Sequence, residues 1–261
     1  MEISTKRIML QPVPQVSIIM PCRNGAKTIA DAIRSVQRQT FSDWELVVVD
    51  DRSTDKSAEI VRQFAQEDPR VILLRNERPT GFPATPRNVG IEAARGRYIA
   101  FLDCDDEWLS TKLARQLPLF STRNVAVVFS HYGKMDEMGV FHVDSIHAPT
   151  FVSYDRLLNG NCIGNLTGTY DTAVVGKVLQ KETHHEDYLM WLGILSKGFF
   201  AINTNTVEAI YRESGGSVSG GKLRSLQWTW NLYKNELKLP FLKAFSCFLH
   251  YSVKGLLKFS K

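Results

Sequence analysis

Short apolar runs alternate with amphipathic segments along the first half of the 261-residue chain. Five runs have the length and bulk of buried strands: 16–20, 44–49, 71–74, 97–102 and 125–129. Between them, apolar residues recur at intervals of three and four, which is the spacing of one helix face. Strands that are apolar throughout and separated by helices predict an α/β fold with a doubly wound, Rossmann-like, mostly parallel sheet.

Helical spacing places the predicted helices between these strands. They are 26–39, a segment from a cap at Ser53 or Thr54 to about Phe64, 87–95, and a segment with Leu113 and Leu117 on one face. After about residue 130 the alternation weakens. There the pattern predicts a helix near 153–159, a helix over 186–198, a strand over 201–212 and helix from Lys222 onward.

Aspartates follow the second and the fourth predicted strands. They are Asp50 and Asp51 in one place, and Asp103, Asp105 and Asp106 in the other. Ionised carboxylates this close repel one another unless a positive charge lies among them. Ligands of doubly wound sheets bind outside the carboxyl ends of the strands. Solvated loop acids would explain either group alone, and their occurrence at two strand ends favours a binding site.

The spacing Asp103-x-Asp105 supports two kinds of chemistry. Two carboxylates on a sharp turn can hold a hard divalent cation, Mg²⁺ or Mn²⁺, which neutralises a bound diphosphate. The alternative is a phosphatase of the haloacid-dehalogenase type, in which Asp103 attacks phosphorus and Asp105 is the acid and base. Three strands precede the motif here, and Glu107 stands where that class has threonine or valine, so the metal interpretation is favoured.

Of two nucleotide-binding motifs, one has a weak match and the other has none. The segment 216–222 fits GxxxxGK, but Leu223 stands where a P-loop needs serine or threonine, so a glycine-rich loop that closes over a ligand is favoured. The absence of GxGxxG after the first strand disfavours a dinucleotide-binding fold. Thr183 and Glu186 fit a capping box, which gives Glu186 a structural explanation, and the helix dipole favours an acid such as Asp187 in the first helical turn. The neighbouring His184 and His185 are interpreted as surface residues.

Charge is distributed unevenly along the chain. The net charge of +5 divides into −2 for residues 1–221 and +7 for residues 222–261. The body therefore does not indicate nucleic-acid binding, whereas the basic end suits an anionic surface. Four widely spaced cysteines without a CxxC pair indicate a reduced, cytosolic setting. The amino-terminal residues lack a signal peptide's apolar core, and no apolar stretch reaches the length of a membrane span.

The last residues combine apolar and basic positions. Leu242, Phe245, Leu249 and Leu256 fall on one helical face, and lysines tend to the other. Residues 240–261 therefore predict an amphipathic helix on the cytoplasmic membrane surface, with a helix packed on the catalytic domain as the alternative.

Four segments together resemble family 2 glycosyltransferases with the GT-A fold. They are "VSIIMPCRNGAKTI", "RQTFSDWELVVVDDRSTD", "PRNVGIEAARGRYIAFLDCDDEW" and "HEDYLMWLGIL". With the "YRESGGSVSGGKL" loop and the basic tail, they are similar to bacterial enzymes that assemble O-antigen, capsule or exopolysaccharide. The resemblance divides the chain into a GT-A domain over 1–221 and a helical, membrane-associating tail over 222–261. The domain's nucleotide-sugar half is 14–130 and its acceptor half is 131–221.

The resemblance also implies roles for the nucleotide-binding residues. Pro21 would line the base pocket, Asp51 would contact the base beside Asp50, and Arg87 would lie near the nucleotide. The family's P-x-Y-N pattern is Pro21-Cys-Arg23-Asn24 here. Arg23, in place of the aromatic residue, could stack on the base or face solvent.

The chemistry implied by the resemblance is a single displacement that inverts the anomeric carbon. Asp103 and Asp105 match the metal-binding pair, with Asp105 the first candidate for the direct ligand of Mn²⁺ or Mg²⁺ and Asp106 the alternative. Asp187 matches the catalytic base. The donor would be a nucleotide sugar, a UDP-sugar first, and the acceptor a saccharide, free or lipid-linked, of surface polysaccharide. The enzyme would lie on the inner face of the plasma membrane. A third hypothesis is an inactive GT-A protein that serves as a binding partner.

Overall fold

The computed structural model describes residues 12–213 and 222–257. Its strands are β1 (Val16–Cys22), β2 (Trp44–Asp50), β3 (Val71–Arg75), β4 (Tyr98–Phe101), β5 (Glu107–Trp108), β6 (Val125–Met135), β7 (Phe141–Ile146), β8 (Phe151–Val152), β9 (Thr169–Asp171) and β10 (Phe200–Arg212). Its helices are α1 (Ile29–Gln37), α2 (Ser57–Glu67), α3 (Ala84–Ala93), α4 (Lys112–Gln116), α5 (Tyr154–Leu158), α6 (Thr172–Val175), α7 (Glu186–Leu195), α8 (Lys222–Asn231) and α9 (Phe241–Leu257).

One sheet runs through the molecule in the order β3-β2-β1-β4-β9-β6-β10-β5. The predicted α/β architecture is confirmed, and β3, β2, β1 and β4 are parallel neighbours. Beyond β4 the sheet is mixed, because β9 pairs antiparallel with both β4 and β6. The parallel half therefore carries both aspartate groups at one edge.

Both faces of the parallel half are covered by helices. Ile19 on β1 packs in one core with α3 and α7, whereas Ile18 and Met20 pack in a second core with α1 and α2. Because successive side chains point to opposite faces, a strand buried on both sides is apolar at nearly every position, and the buried polar residues Ser17 and Glu45 bond to each other at 2.6 Å. This explains why the strand runs are continuous rather than alternating.

The predicted cap of α2 is wrong. The helix begins at Ser57, and the side chain that accepts from its first turn is Asp55, whose Oδ1 is 3.0 Å from Ser57 N. Thr54 instead donates its backbone N–H to Asn24 Oδ1 at 2.8 Å. Ser53 Oγ accepts from Asn24 N at 3.0 Å. The two residues thus join the loop after β2 to the loop after β1, next to the aspartates.

The carboxyl-terminal helices pack on the same core as the sheet. The Tyr233 hydroxyl, in a π-helical turn after α8, donates to Leu158 O at 2.6 Å, and Ala244 and Cys247 on α9 are buried. The opposite side of α9 exposes apolar side chains: Phe241, Leu242, Phe245, Leu249 and Val253. In the part of the chain that the structure describes, no helix combines the length and the apolar character needed to cross a bilayer.

Gly96 marks a close contact between the turn before β4 and the central strand β1. A Cβ built on Gly96 would lie 2.6 Å from Ser17 N and 2.7 Å from Val16 C. Neighbouring strands on both sides hold this backbone in place. Gly96→Ala is therefore expected to lower the free energy of unfolding by about 1–3 kcal/mol, measured by urea denaturation.

Gly193 on α7 provides the matched control for that substitution. A Cβ at Gly193 meets no atom within 4 Å. Since alanine favours a helix over glycine, Gly193→Ala should leave stability unchanged or raise it by up to about 1 kcal/mol. Equal stability of the two alanine variants would contradict the close-contact argument.

Candidate functional site

The predicted nucleotide-binding residues lie at the carboxyl edge of the parallel sheet. β1 lies between β2 and β4, so the loop that follows β1 separates Asp50 and Asp51 from the aspartates after β4. Asp51 is buried, and its Oδ1 accepts from Asn76 Nδ2 at 2.6 Å. Asp50 Oδ1 accepts from Ser53 N at 3.1 Å. These contacts hold the two carboxylates in fixed positions at the strand end.

Pro21, Arg23 and Asn24 occupy the end of β1 and the loop beyond it. Asn24 has a φ of 54° and makes the contacts with the β2 loop described above, so its side chain shapes the loop. The guanidinium of Arg23 is largely exposed, with Nη1 3.9 Å from Asp51 Oδ2. Arg23 therefore lies over Asp51 at the solvent side of the edge.

A buried arginine, Arg87, connects this edge to α7, the helix that begins with Glu186 and Asp187. Arg87 Nη2 donates to Asp103 Oδ1 at 2.7 Å, and Nη1 donates to Glu186 Oε1 at 2.7 Å. Desolvation alone would lower the pKa of Arg87, but the negative charges of Asp103 and Glu186 outweigh it, so the net shift of the pKa is upward. The guanidinium is therefore a permanent positive charge between two acids.

The predicted capping box at Thr183 and Glu186 is wrong. α7 begins at Glu186, after His185 in the left-handed conformation with a φ of 62°. Glu186 therefore occupies the first helical position, and its carboxylate pairs with Arg87 rather than folding back on the helix start. The turn at His185 places Asp187 in the first turn, where the helix dipole favours a negative charge.

Asp187 has the properties of a carboxylate that can exchange a proton near neutral pH. Burial, and then the charge of Glu186, raise its pKa from an ordinary 3.8 to about 6, against the opposing effect of Arg87. Its Oδ2 accepts from Asn161 Nδ2 at 3.3 Å. A base with a pKa close to the working pH is the combination that general base catalysis requires.

Asp105 and Asp106 are neighbours in sequence but differ in environment. Asp106 is buried, and its Oδ1 accepts from Arg212 N at 2.9 Å. Burial, followed by the charges of Asp103 and Asp105, raises the pKa of Asp106 well above its usual range. Asp105 is exposed at the edge, and Arg212 Nε binds its backbone oxygen at 3.0 Å, which leaves the carboxylate free of that contact.

The donor set fits a divalent cation that is shared with a bound diphosphate. Within residues 12–213 and 222–257, no three His, Cys, Asp or Glu side chains form a metal-binding group. Mg²⁺ and similar ions are usually held by one or two carboxylates together with substrate phosphates and waters. The exposed carboxylate of Asp105 and the partly exposed carboxylate of Asp103 would provide two such ligands.

Several residues of this region were missed by sequence reasoning. They are Asn76, which binds Asp51; Asn161, which binds Asp187; Glu186, which pairs with Arg87; and Arg212, which orders the aspartate turn. Two of them had a signal, because Arg212 and Glu186 each lie within a segment that carries the family resemblance, although Glu186 was assigned to a capping box. The glycine-rich part of the loop after Arg212, 214–221, lies outside the described residues.

The sequence profile described as "Glycosyl transferase family 2" matches residues 17–175. Among curated proteins, the chain is 36% identical to the putative teichuronic acid biosynthesis glycosyltransferase TuaG of Bacillus subtilis, over 94% of this chain and 97% of TuaG. It is 35% identical to the Escherichia coli UDP-Glc:alpha-D-GlcNAc-diphosphoundecaprenol beta-1,3-glucosyltransferase WfgD, over 93% of this chain and 94% of WfgD.

Two solved structures share the fold. Staphylococcus aureus TarS 1-349 in complex with UDP-GlcNAc superposes with a TM-score of 0.70 and 21% identity, over 91% of this chain and 71% of that one. The mannosyltransferase PcManGT of Pyrobaculum calidifontis, in complex with GDP-Man and Mn²⁺, superposes with a TM-score of 0.65 and 18% identity, over 87% and 65% of the two chains. These likenesses show that the chain has the GT-A fold.

Proposed function

Because the chain belongs to glycosyl transferase family 2, we propose that it transfers a sugar from a UDP-sugar to a hydroxyl of a lipid-linked saccharide, with inversion at the anomeric carbon. The product would be an intermediate of a bacterial surface polysaccharide. One observation carries the proposal: Arg87 bridges Asp103 at the sheet edge and Glu186 beside Asp187. A donor at the edge and a base on α7 are thereby held in one site.

The sheet edge is the proposed donor site. Pro21 and Asp51 would flank the base, with Arg23 above it and Asp50 and Asn24 supporting the loops. Arg23 lies at the exposed side of Asp51, where its planar guanidinium can stack on a base. The bound UDP-GlcNAc of TarS and the UDP-Glc named for WfgD support a uridine donor.

Asp103 and Asp105 are the proposed ligands of a divalent cation, Mn²⁺ or Mg²⁺. Asp106 supports the turn that carries them, because it accepts a hydrogen bond from Arg212 N. When bound, such a cation neutralises negative charge on a leaving diphosphate. The Mn²⁺ complex of PcManGT, which shares the fold, is consistent with this assignment.

The reaction step belongs to Asp187. Its carboxylate takes the proton of the acceptor hydroxyl as that oxygen attacks the anomeric carbon from the face opposite the diphosphate. Arg87 and Glu186 hold the start of α7 against the sheet edge, so the distance between the base and the donor stays fixed. A single displacement of this kind inverts the anomeric configuration.

The phosphatase alternative is less well supported. In that class the nucleophile follows the first strand, whereas three strands, β1 to β3, precede Asp103 here. The Asp187 environment would also have no role in such a reaction. An inactive binding protein would not need a carboxylate with a pKa near 6 in this position.

The direct test supplies the protein with Mn²⁺, a panel of nucleotide sugars, and an α-linked GlcNAc diphosphate on a short alkyl chain. We expect release of UDP and a disaccharide whose new bond, by NMR, has the inverted configuration. Release of inorganic phosphate would favour the phosphatase, and the absence of any nucleotide release would overturn the proposal.

The two neighbouring aspartates can be distinguished by their metal dependence. Asp105→Asn is expected to lower the transfer rate about a hundredfold and to raise the Mn²⁺ concentration needed for half-maximal rate, since it removes a charged ligand. Chelation of the metal with EDTA should reduce the wild-type rate at least as strongly.

Asp106→Asn is the control for Asp105→Asn. Its amide oxygen can still accept from Arg212 N, so the half-saturating Mn²⁺ concentration should change less than about twofold. A strong loss of metal affinity in Asp106→Asn, with none in Asp105→Asn, would assign the metal to Asp106 instead.

We place the enzyme on the inner face of the cytoplasmic membrane through residues 240–261. The exposed apolar side of α9 and the +7 charge of residues 222–261 suit a lipid surface with anionic headgroups. The packed side, with Ala244 and Cys247, keeps the helix attached to the catalytic core. The lipid-linked acceptor named for WfgD is consistent with this location.

Co-sedimentation with vesicles that contain anionic lipid tests this placement. The double variant Leu242→Ser and Phe245→Ser should bind at least about tenfold more weakly, because two apolar side chains leave the interface. The exposed Met138, on the turn between β6 and β7, provides the control Met138→Ser. Equal binding of the double variant and the control would exclude α9 as the membrane contact.

A further inference from the structure

Three aromatic rings from three different elements meet beside the acidic start of α7. Phe82 lies in the loop before α3, His184 lies before α7, and Trp228 lies on α8. The rings of His184 and Trp228 stack, with centroids 3.8 Å apart and 16° between their planes. Phe82 meets His184 edge-on at 5.8 Å. We call these three residues the aromatic cluster.

The aromatic cluster is not part of the hydrophobic core. His184 is exposed, and Phe82 and Trp228 are half-buried. Neither Phe82 nor Trp228 belongs to the two cores of the molecule. α8 is attached without them, because the residues that follow it, including Tyr233, are buried in the core next to α5. Rings that do not contribute to the core but remain stacked near the surface are available for a ligand.

The cluster adjoins the proposed base through the backbone. His184 is three residues before Asp187, and the left-handed turn at His185 lies between them. The His185 ring also faces α8, with Nε2 3.4 Å from Thr229 Oγ1 and its centroid 5.9 Å from that of Trp228. Phe82 precedes Arg87 by five residues. Phe82 and His184 therefore lie just before α3 and α7, the two helices joined by the Arg87–Glu186 ion pair.

The chemistry of the cluster suits a sugar ring. A pyranose has a face of C–H groups, which packs on aromatic rings, and a rim of hydroxyls, which needs hydrogen-bond partners. Candidate partners for the rim follow closely along the chain: Asp187 is three residues after His184, and the Asn161 amide binds Asp187 Oδ2. The donor side, with Asp103, lies across Arg87 from Glu186. A sugar on the cluster would thus lie next to the start of α7, which carries Glu186 and Asp187.

We propose that the aromatic cluster is the acceptor subsite, which binds the terminal pyranose of the acceptor and directs one of its hydroxyls to Asp187. This inference rests on the proposed function. Phe82, His184 and Trp228 are specificity and positioning residues, and the proton goes to Asp187 alone.

The experiment measures transfer with a UDP-sugar and the short-chain GlcNAc diphosphate as acceptor. Trp228→Ala should raise the acceptor KM about tenfold or more, with kcat changed less than about threefold and the donor KM less than about twofold. Trp228→Phe, which keeps an aromatic face, should restore most of the lost acceptor affinity. His184→Ala, at an exposed position, should shift the acceptor KM in the same direction and so tests the proposal without a packing change on α8.

Trp230 provides the control on the same helix. Its ring contacts Phe241 and Phe248 on α9 at 6.1 and 5.4 Å, away from the cluster. Trp230→Phe should leave the acceptor KM unchanged. The proposal is overturned if Trp228→Ala and His184→Ala keep the wild-type acceptor KM, or if their donor KM rises as much as their acceptor KM. If the wild-type protein transfers sugar but these variants show no acceptor effect, only the subsite is wrong. If the wild-type protein releases no nucleotide with any donor, the proposed function fails and the subsite fails with it.

Discussion

Asp187→Asn is expected to lower the rate of sugar transfer by about three orders of magnitude, while the Kd of the UDP-sugar changes less than about twofold. The amide keeps the shape of the side chain and can still accept from Asn161, but it cannot take a proton. In the proposed site the donor lies at the sheet edge, on the opposite side of Arg87, so its binding should not depend on this carboxylate. Single-turnover kinetics together with equilibrium binding of the UDP-sugar separate the two effects.

The pH dependence of the wild-type enzyme should report the same group. The base acts in its deprotonated form, and burial raises the pKa of Asp187 to about 6. The rate of transfer should therefore rise with pH up to about 6 and level off above it. Glu186→Gln removes a negative charge that raises this pKa, so the rise should move to lower pH. An Asp187→Asn variant with near-wild-type turnover, or an unchanged pH profile in that variant, would exclude Asp187 as the base.

The same carboxylate should also limit the stability of the protein at neutral pH. Its pKa is higher in the folded state than its ordinary value of 3.8, so the folded protein holds the proton more tightly. The bound proton contributes its full stabilisation of the folded state below about pH 4, and this contribution is lost as the pH rises through about 6. Asp187→Asn should therefore raise the Tm at pH 7.5 even though it removes activity.

The parallel half of the molecule could be predicted from the sequence because each element there has a local signal. A strand buried on both faces is apolar at nearly every position, and the ends of β2 and β4 are marked by aspartates. The position of Asp187 was predicted from the family resemblance, and the structure places it beside Arg87. The mixed half gave weaker signals. β9 has three residues, too few to show a period, yet it separates β4 from β6 and changes the strand direction.

Contacts between distant residues could not be predicted, because no local pattern encodes them. Thr183 and Glu186 have the spacing of a capping box, but the partner of Glu186 is Arg87, ninety-nine residues away. Likewise, Asp105 and Asp106 are equivalent in a motif. The hydrogen bond from Arg212 N, 106 residues further on, is what gives Asp106 a buried, supporting role. In both cases a local pattern explained the side chain, but in the structure that side chain forms a contact with a residue distant in sequence.

In the proposed site, the Arg87 bridge joins the aspartates after β4 to the acids at the start of α7, and its removal should affect both stability and activity. Arg87→Leu leaves Asp103 and Glu186 without their shared partner, and Glu186 is largely buried. Loss of one member of a buried ion network costs about 3–5 kcal/mol of unfolding free energy. Transfer should become undetectable, because the start of α7 is no longer held to the sheet edge.

A double variant separates these two effects of Arg87. Arg87→Leu with Glu186→Leu removes a buried unpaired acid along with the cation, so it should recover about half of the lost stability. It should recover none of the activity, since α7 and the sheet edge still lack their connection. Arg87→Lys keeps the charge but offers no planar pair of donors, so it should be intermediate in both measurements. If Arg87→Leu were as stable and as active as the wild-type protein, Asp103 and Asp187 would have to act independently, and the bridge would have no part in the reaction.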